Sequence, residues 1–150
     1  MNNPLTSQLF DEKTFYHQFL KDLKRCQREV IIESPFITTK RVQMFYPVFR
    51  NLLNRGVSIF IMTRPPAEHE NKVMSKQAEI EIQNFERLGI QTLLCVGNHH
   101  RKLAILDRQI LWEGSLNILS QANSREIMRK LEGKETAMQM FTFLRLDQFL

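Results

Sequence analysis

The stretch HHRKLAILDRQILWEGS, residues 99–115, decides the fold. Its two apolar runs, KLAIL (102–106) and QILWEGS (109–115), are separated by so few residues that they predict a β-hairpin. Upstream the pattern is different. Phe15, Phe19, Leu20 and Leu23 recur at helical spacing with Lys21, Lys24 and Arg25 between them, predicting an amphipathic helix over 11–26 that starts near Asp11. EVIIESPF (29–36) reads as a buried strand stopped by Pro35. Thr38 or Thr39 is expected to cap a helical region running to Asn54, kinked or split at Pro47, with Gly56 just beyond it. VSIFIMT (57–63) is a β-branched strand followed by the loop RPPAEHEN. Ala78, Ile82 and Phe85 mark a helix from about Ser75 to Leu88 ended by Gly89, and IQTLLCV (90–96) is again a strand. Downstream of the hairpin, EIMRKL (126–131) is a last strand, and a helix rich in Met and Phe closes the chain over 134–148. Strands this continuously apolar need cover on both sides. The expectation is an α/β fold, a mixed and mostly parallel β-sheet flanked by helices on both faces, in one domain over 1–150.

Composition agrees with such a domain. The chain has 150 residues, 43% hydrophobic and 25% charged, enough to bury a sizeable core. Its longest apolar runs are far too short to span a bilayer, and its N-terminus lacks the basic start and apolar core of a secretion signal. A cytoplasmic protein is expected. Cys26 and Cys95 form no metal-binding pair and are expected to be reduced core thiols. Lys plus Arg number 21 against 16 Asp plus Glu, giving +5 and a pI near 9.5. That excess fits a polyanionic partner, nucleic acid especially.

The hairpin also gathers polar residues. With an even number of residues in its loop, either Asp107 and Arg108 or Arg108 and Gln109, residues His100, Lys102, Ser115 and Asn117 project from one side. Leu103, Ile105, Ile110 and Trp112 then supply core from the other. His100 and Lys102 would lie about 6–7 Å apart along the strand. An imidazole, an ammonium, a hydroxyl and a carboxamide converging on such a space form an anion pocket, and Gly114 would let the backbone approach the anion. A three-residue loop would place the two halves of this set on opposite faces.

HRKLAILD followed by GSLN resembles the HxKxxxxD…GSxN motif of the phospholipase D superfamily. His100, Lys102 and Asp107 match the first element, and Gly114, Ser115 and Asn117 match the second. The order of elements ahead of the motif, with a first strand ending in SPF (34–36), is similar too, so the resemblance covers essentially the whole chain. Only one motif is present. In this it resembles the short bacterial nucleases of the superfamily, which dimerise to bring two motifs together, more than the longer phospholipases and phosphatidyl transferases that carry two. The resemblance implies DNA or RNA as substrate and a homodimer with a shared active site. It also implies attack on phosphorus by one His100, forming a phosphohistidine, with the partner's His100 as acid and then base. Lys102, Ser115 and Asn117 would bind the nonbridging oxygens, and Glu126 would orient His100 as the acidic residue beyond GSxN does in the family. No cofactor is implied. Histidine as nucleophile needs no divalent metal, and the sequence offers no acidic cluster to hold one.

Each assignment has a plainer alternative. Asp107 begins a turn, where a carboxylate more often accepts from backbone, and a structural role is favoured. Glu126 is equally well read as an exposed strand residue. His99 touches either phosphate or solvent, while His17 and His69 read as surface residues. Arg101, Arg108, Arg125, Arg129 and Lys130 either follow a nucleic-acid backbone or form a solvated face. The closing helix, with Met138, Met140, Phe141, Phe143 and Leu144, has apolar surface in excess of one stripe, which core packing and a subunit contact would share. Two other functions remain open: phospholipid headgroup hydrolysis or transfer, and a non-catalytic nucleic-acid-binding module.

Overall fold

Val30, Ile31 and Ile32 are fully buried, which places β2 (Glu29–Glu33) in the middle of a sheet covered on both faces. The computed structural model describes residues 6–150. The other strands are β1 (Thr6–Asp11), β3 (Ser58–Thr63), β4 (Gln91–Leu94), β5 (Leu103–Leu106), β6 (Ile110–Gly114) and β7 (Ile127–Glu132), in the order β1-β7-β6-β5-β2-β3-β4. The sheet is mixed, as expected, but parallel pairing is the minority. Only β2 with β3 and β3 with β4 run parallel. The remaining four pairings are antiparallel. Each parallel pair needs a helical crossover, and the chain has two. One is made by α2 (Thr39–Val42) with α3 (Tyr46–Asn54), the other by α4 (Lys72–Leu88). After β4 the chain returns beside β2 and continues antiparallel.

The two faces bury different sets. Val30, Ile32, Ala104, Leu106 and Trp112 pack with Phe15 and Phe19 of α1 (Phe15–Lys24), Phe49 of α3 and Phe85 of α4. Trp112 is fully buried, with the rings of Phe10, Phe15 and Phe19 at 5.0, 5.1 and 5.9 Å. On the other face Ile31, Leu103, Ile105, Leu111 and Leu131 meet Ala137 and Phe141 of α5 (Lys134–Phe143). A 3-10 turn, Leu146–Phe149, ends the chain where a longer helix was expected.

The helix boundaries shift for local reasons. Asp11 ends β1 and accepts from the N–H groups of Lys13 and Thr14 at 2.9 and 3.0 Å, so α1 starts only at Phe15. The helical region before Gly56 is split, and Pro47 occupies the first turn of α3, where no N–H is required. Thr38 is the N-cap residue of α2, one of the two candidates expected, but its side chain makes no capping hydrogen bond. The Thr38 hydroxyl accepts instead from the N–H of Gln121 at 2.9 Å. Asn71 caps α4, its Oδ1 accepting from Val73 and Met74, which starts the helix three residues earlier than expected. Strand β1 is mostly exposed and carries no apolar alternation to announce it.

Candidate active site

The hairpin turn has three residues, Asp107, Arg108 and Gln109, so Leu106 pairs with Ile110 and Leu103 with Glu113. The even-numbered loop is thereby overturned. Asp107 and Arg108 both take φ +53°, a left-handed conformation that aspartate tolerates better than most residues. The Asp107 carboxylate accepts from the N–H groups of Gln27, Arg28 and Glu29 at 2.9, 2.8 and 3.0 Å. Arg108 pairs with Glu29 at 2.9 Å and lies over the Phe141 ring at 4.3 Å. Together they fasten the turn to the start of β2, roughly 80 residues away in sequence. Odd and even positions separate accordingly. Leu103 and Ile105 share a face with Leu111, while Ile110 and Trp112 lie on the opposite face with Ala104 and Leu106.

The motif residues flank the ladder instead of lying in it. His100 and Lys102 precede β5, and Ser115 and Asn117 follow β6. Lys102 Nζ is 2.9 Å from His100 Nδ1 and donates to the His100 carbonyl at 2.9 Å. The Lys102 charge, then desolvation, then the charges of Arg64 and His99, hold the His100 pKa below its ordinary value, which favours the neutral ring. Lys102 is itself pushed down by burial, while the carboxylate of Glu126 acts in the opposite direction. His100 Nδ1 faces Lys102, and among the described residues no hydrogen bond joins Glu126 to either His100 or Lys102.

Ser115 and Asn117 part company. The Ser115 hydroxyl accepts from the N–H of Ile127 at 3.0 Å and donates to its carbonyl at 3.4 Å, joining the end of β6 to the start of β7. His100, Lys102 and Ser115 border one open groove of about 810 Å³. Asn117 and Glu126 line an adjacent cleft of about 40 Å³ with Tyr16 and Arg41. In that cleft Asn117 Oδ1 and Glu126 Oε2 are buried without a hydrogen-bond partner among the described residues. Gly114 is required by packing. A Cβ there would overlap the Ile127 carbonyl oxygen and lie 2.8 Å from Met128 Sδ, so the missing side chain serves the β6–β7 contact.

Residues with no place in the motif hold its first half. Gly97 and Asn98 give their N–H groups to Glu68 at 3.2 and 2.8 Å. The His99 carbonyl accepts from Arg64 at 3.2 and 3.4 Å. Glu33, fully buried at the end of β2, accepts from Arg101 at 3.2 Å and has His99 Nε2 at 3.0 Å, without the alignment of a hydrogen bond. His99 thus faces a carboxylate, neither phosphate nor solvent. Nothing in the composition of ESPF or TRPP announced these contacts. A charge in the last position of an apolar strand was the available signal.

The flanking cations divide similarly. Arg101, Arg125 and Arg129 line the groove beside His100. Arg108 is paired as described, and Lys130 is buried between Asp22 at 2.8 Å and Glu132 at 3.1 Å, so neither follows a ligand backbone. His17 is exposed, but His69 is buried. The groove's outer lip is apolar. Leu9 and Ile127 are each 63% exposed and Phe143 is 81% exposed. Cys26 and Cys95 are both free thiols. Among the described residues no group of three or more His, Cys, Asp or Glu is placed to hold a metal ion, and no helix is long and apolar enough to cross a membrane.

The fold is shared with NucT from Helicobacter pylori (TM-score 0.68, 19% identity, 95% of this chain and 94% of that one). It is shared equally with Nuc of Salmonella typhimurium, a phospholipase D family member (TM-score 0.71, 16% identity, 95% and 93%). A phosphatidylserine synthase of Haemophilus influenzae matches over 99% of this chain but 39% of its own length, at TM-score 0.62 and 12% identity. No curated protein matches significantly by sequence. The family model described as "Cardiolipin synthase, PLD-like domain" matches residues 19–145, and the chain belongs to the phospholipase D superfamily.

Proposed function

We propose that the chain is a phosphodiesterase of the nuclease kind, cleaving DNA or RNA through a phosphohistidine on His100. The observation that carries this reading is the His100 imidazole 2.9 Å from the Lys102 ammonium in an open groove whose other cations are Arg101, Arg125 and Arg129. A nitrogen lone pair of His100 attacks phosphorus as the bond to the leaving oxygen breaks, and that oxygen takes a proton from a second, protonated His100. Water then gives a proton to the second imidazole and attacks phosphorus, forming a P–O bond as the phosphorus–nitrogen bond breaks and frees the first. Lys102 neutralises the nonbridging oxygens and Asn117 donates to them from the adjoining cleft. Removing one such preorganised donor costs about 10²–10³ in rate. Glu126 steadies the Lys102 charge, and Ser115, its hydroxyl engaged by Ile127, holds the end of β6 in place. The second His100 comes from another copy of the chain. The apolar lip of Leu9, Ile127 and Phe143 beside the groove supports such a contact.

A phospholipid substrate is the second reading, favoured by that same lip and by the family model's description. One experiment separates the two. Wild type and His100→Ala are incubated in EDTA with single- and double-stranded DNA, RNA, and vesicles of phosphatidylglycerol and phosphatidylcholine. Cleaved nucleic acid that disappears in the variant is expected. Lipid products alone establish the second reading, and binding of DNA without products leaves a non-catalytic module. Sedimentation at assay concentration tests the pairing, since an active monomer contradicts a shared site.

A further inference from the structure

A second polar cluster lies behind the His100 imidazole, at the C-terminal ends of β2 and β3. Open α/β sheets place ligands at this edge. Phe36 follows β2 and Arg64 follows β3 directly, while His69 comes from the loop ahead of α4. With Asn98 they border a cavity of about 280 Å³. Arg64 is only 7% exposed, and among the described residues it makes no ion pair with a carboxylate. Its hydrogen bonds go to the His99 carbonyl alone. His69 is 8% exposed, and among the described residues neither of its ring nitrogens has a hydrogen-bond partner. Burial and the charge of Arg64 lower its pKa against the smaller opposing charge of Glu68, which favours the neutral ring with its one N–H.

A buried guanidinium without a counter-charge and a buried N–H without an acceptor are both costly. One ligand bearing anionic oxygens would satisfy the two together. Both groups rest on Phe36: the guanidinium carbon is 4.9 Å from the ring centroid and the His69 ring 5.2 Å. The same phenyl ring meets His100 edge-on at 6.4 Å, so this cavity and the reacting imidazole share a wall. The field of Arg64 reaches the site as well, acting on both His100 and Lys102. Two carboxylates border the cavity. Glu68 is committed to the N–H groups of Gly97 and Asn98, and Glu70 is exposed to solvent.

We propose that Arg64 and His69 form a subsite for the phosphate next to the scissile one on the same nucleic-acid strand. The proposal rests on the nuclease reading above and extends it. His69 turns about its soft outer torsion to present its N–H, and the guanidinium supplies the charge. A substrate with several phosphates in line engages both cavities, whereas a simple phosphodiester engages only the groove.

The test changes the substrate first and the protein second. Short oligonucleotides carry one methylphosphonate, which removes the charge of a single phosphate, immediately 5′ or 3′ of the cleaved bond. For wild type, kcat/KM is expected to fall about ten- to a hundredfold for the modification on one side. For Arg64→Met the ratio between unmodified and methylphosphonate substrate on that side should fall to near one, whatever the variant's absolute rate. Arg64→Lys should restore part of the ratio, and His69→Ala should lower it. A wild type indifferent to both modifications overturns the subsite, as does an Arg64→Met variant that keeps the full ratio. If wild type cuts neither oligonucleotide, the nuclease reading fails separately. The same ratio, taken from dissociation constants by fluorescence anisotropy, then decides the subsite by the same criterion.

Discussion

Replacing Asp107 by alanine separates a structural from a chemical role for the motif's last residue. Its carboxylate accepts three backbone N–H groups at 2.8–3.0 Å, all from the segment that leads into β2. Hydrogen bonds to a charged group contribute about 1.5–3 kcal/mol each in favourable settings. This carboxylate is half-buried and shared among three donors, so about 2–4 kcal/mol for the set is the appropriate scale. The left-handed φ of +53° adds a penalty, of order 1 kcal/mol, that alanine pays and asparagine largely escapes. At about 2–4 °C per kcal/mol for a domain of this size, Asp107→Ala should lower Tm by about 6–20 °C. Asp107→Asn should lower it by only a few degrees. Circular dichroism gives Tm, and initial rates are taken well below the transition. Both variants should keep kcat within about threefold of wild type once folded. A folded Asp107→Asn protein that loses a hundredfold or more in kcat would refute the structural assignment and put the carboxylate in the chemistry.

Four further outcomes follow from the same contacts. Gly114→Ala forces a Cβ into the Ile127 carbonyl and should destabilise by about 1–3 kcal/mol or more, read by urea unfolding, where an unchanged midpoint would contradict the β6–β7 packing. Lys130→Ala strands the buried Asp22 carboxylate and should cost about 3–5 kcal/mol, with Asp22→Asn in the same chain recovering part of it. Lys102→Met removes the largest influence holding the His100 pKa down, so the midpoint of its ring-proton NMR titration should move up towards 6.5; a downward move would reverse the sign deduced here. Arg125→Ala and Arg129→Ala should each weaken nucleic-acid binding across sequences and reduce the salt slope by about one, while Lys130→Met leaves that slope unchanged.

Most of the architecture was readable because it rests on periodicity. The apolar runs of β2, β3, β5 and β6 and the helical spacing of Phe15, Phe19 and Leu23 are properties of single segments. What escaped depends on partners distant in sequence. The parity of the hairpin turn is decided by Asp107 reaching the backbone of residues 27–29, which no local pattern reports. Lys130 looks like any strand lysine until Asp22 is found beneath it. Glu33 and Arg64 sit at the ends of apolar strands, where they read as polar termini, yet both are buried and both hold the His99 segment. The motif residues were recognisable from residue types, but their division between groove and cleft follows from the turn parity and from the Ser115 splice to Ile127.

Residues 97–102 are kept in place by side chains of Glu33, Arg64 and Glu68, with little help from the sheet ladder. Such a segment is free to come away while the strands stay paired, and its opening costs less than unfolding the domain. The integrity of the candidate site is thereby uncoupled from global stability. On warming, amide exchange at Asn98 and His99 would quicken and turnover would fade while the far-ultraviolet spectrum still looked native.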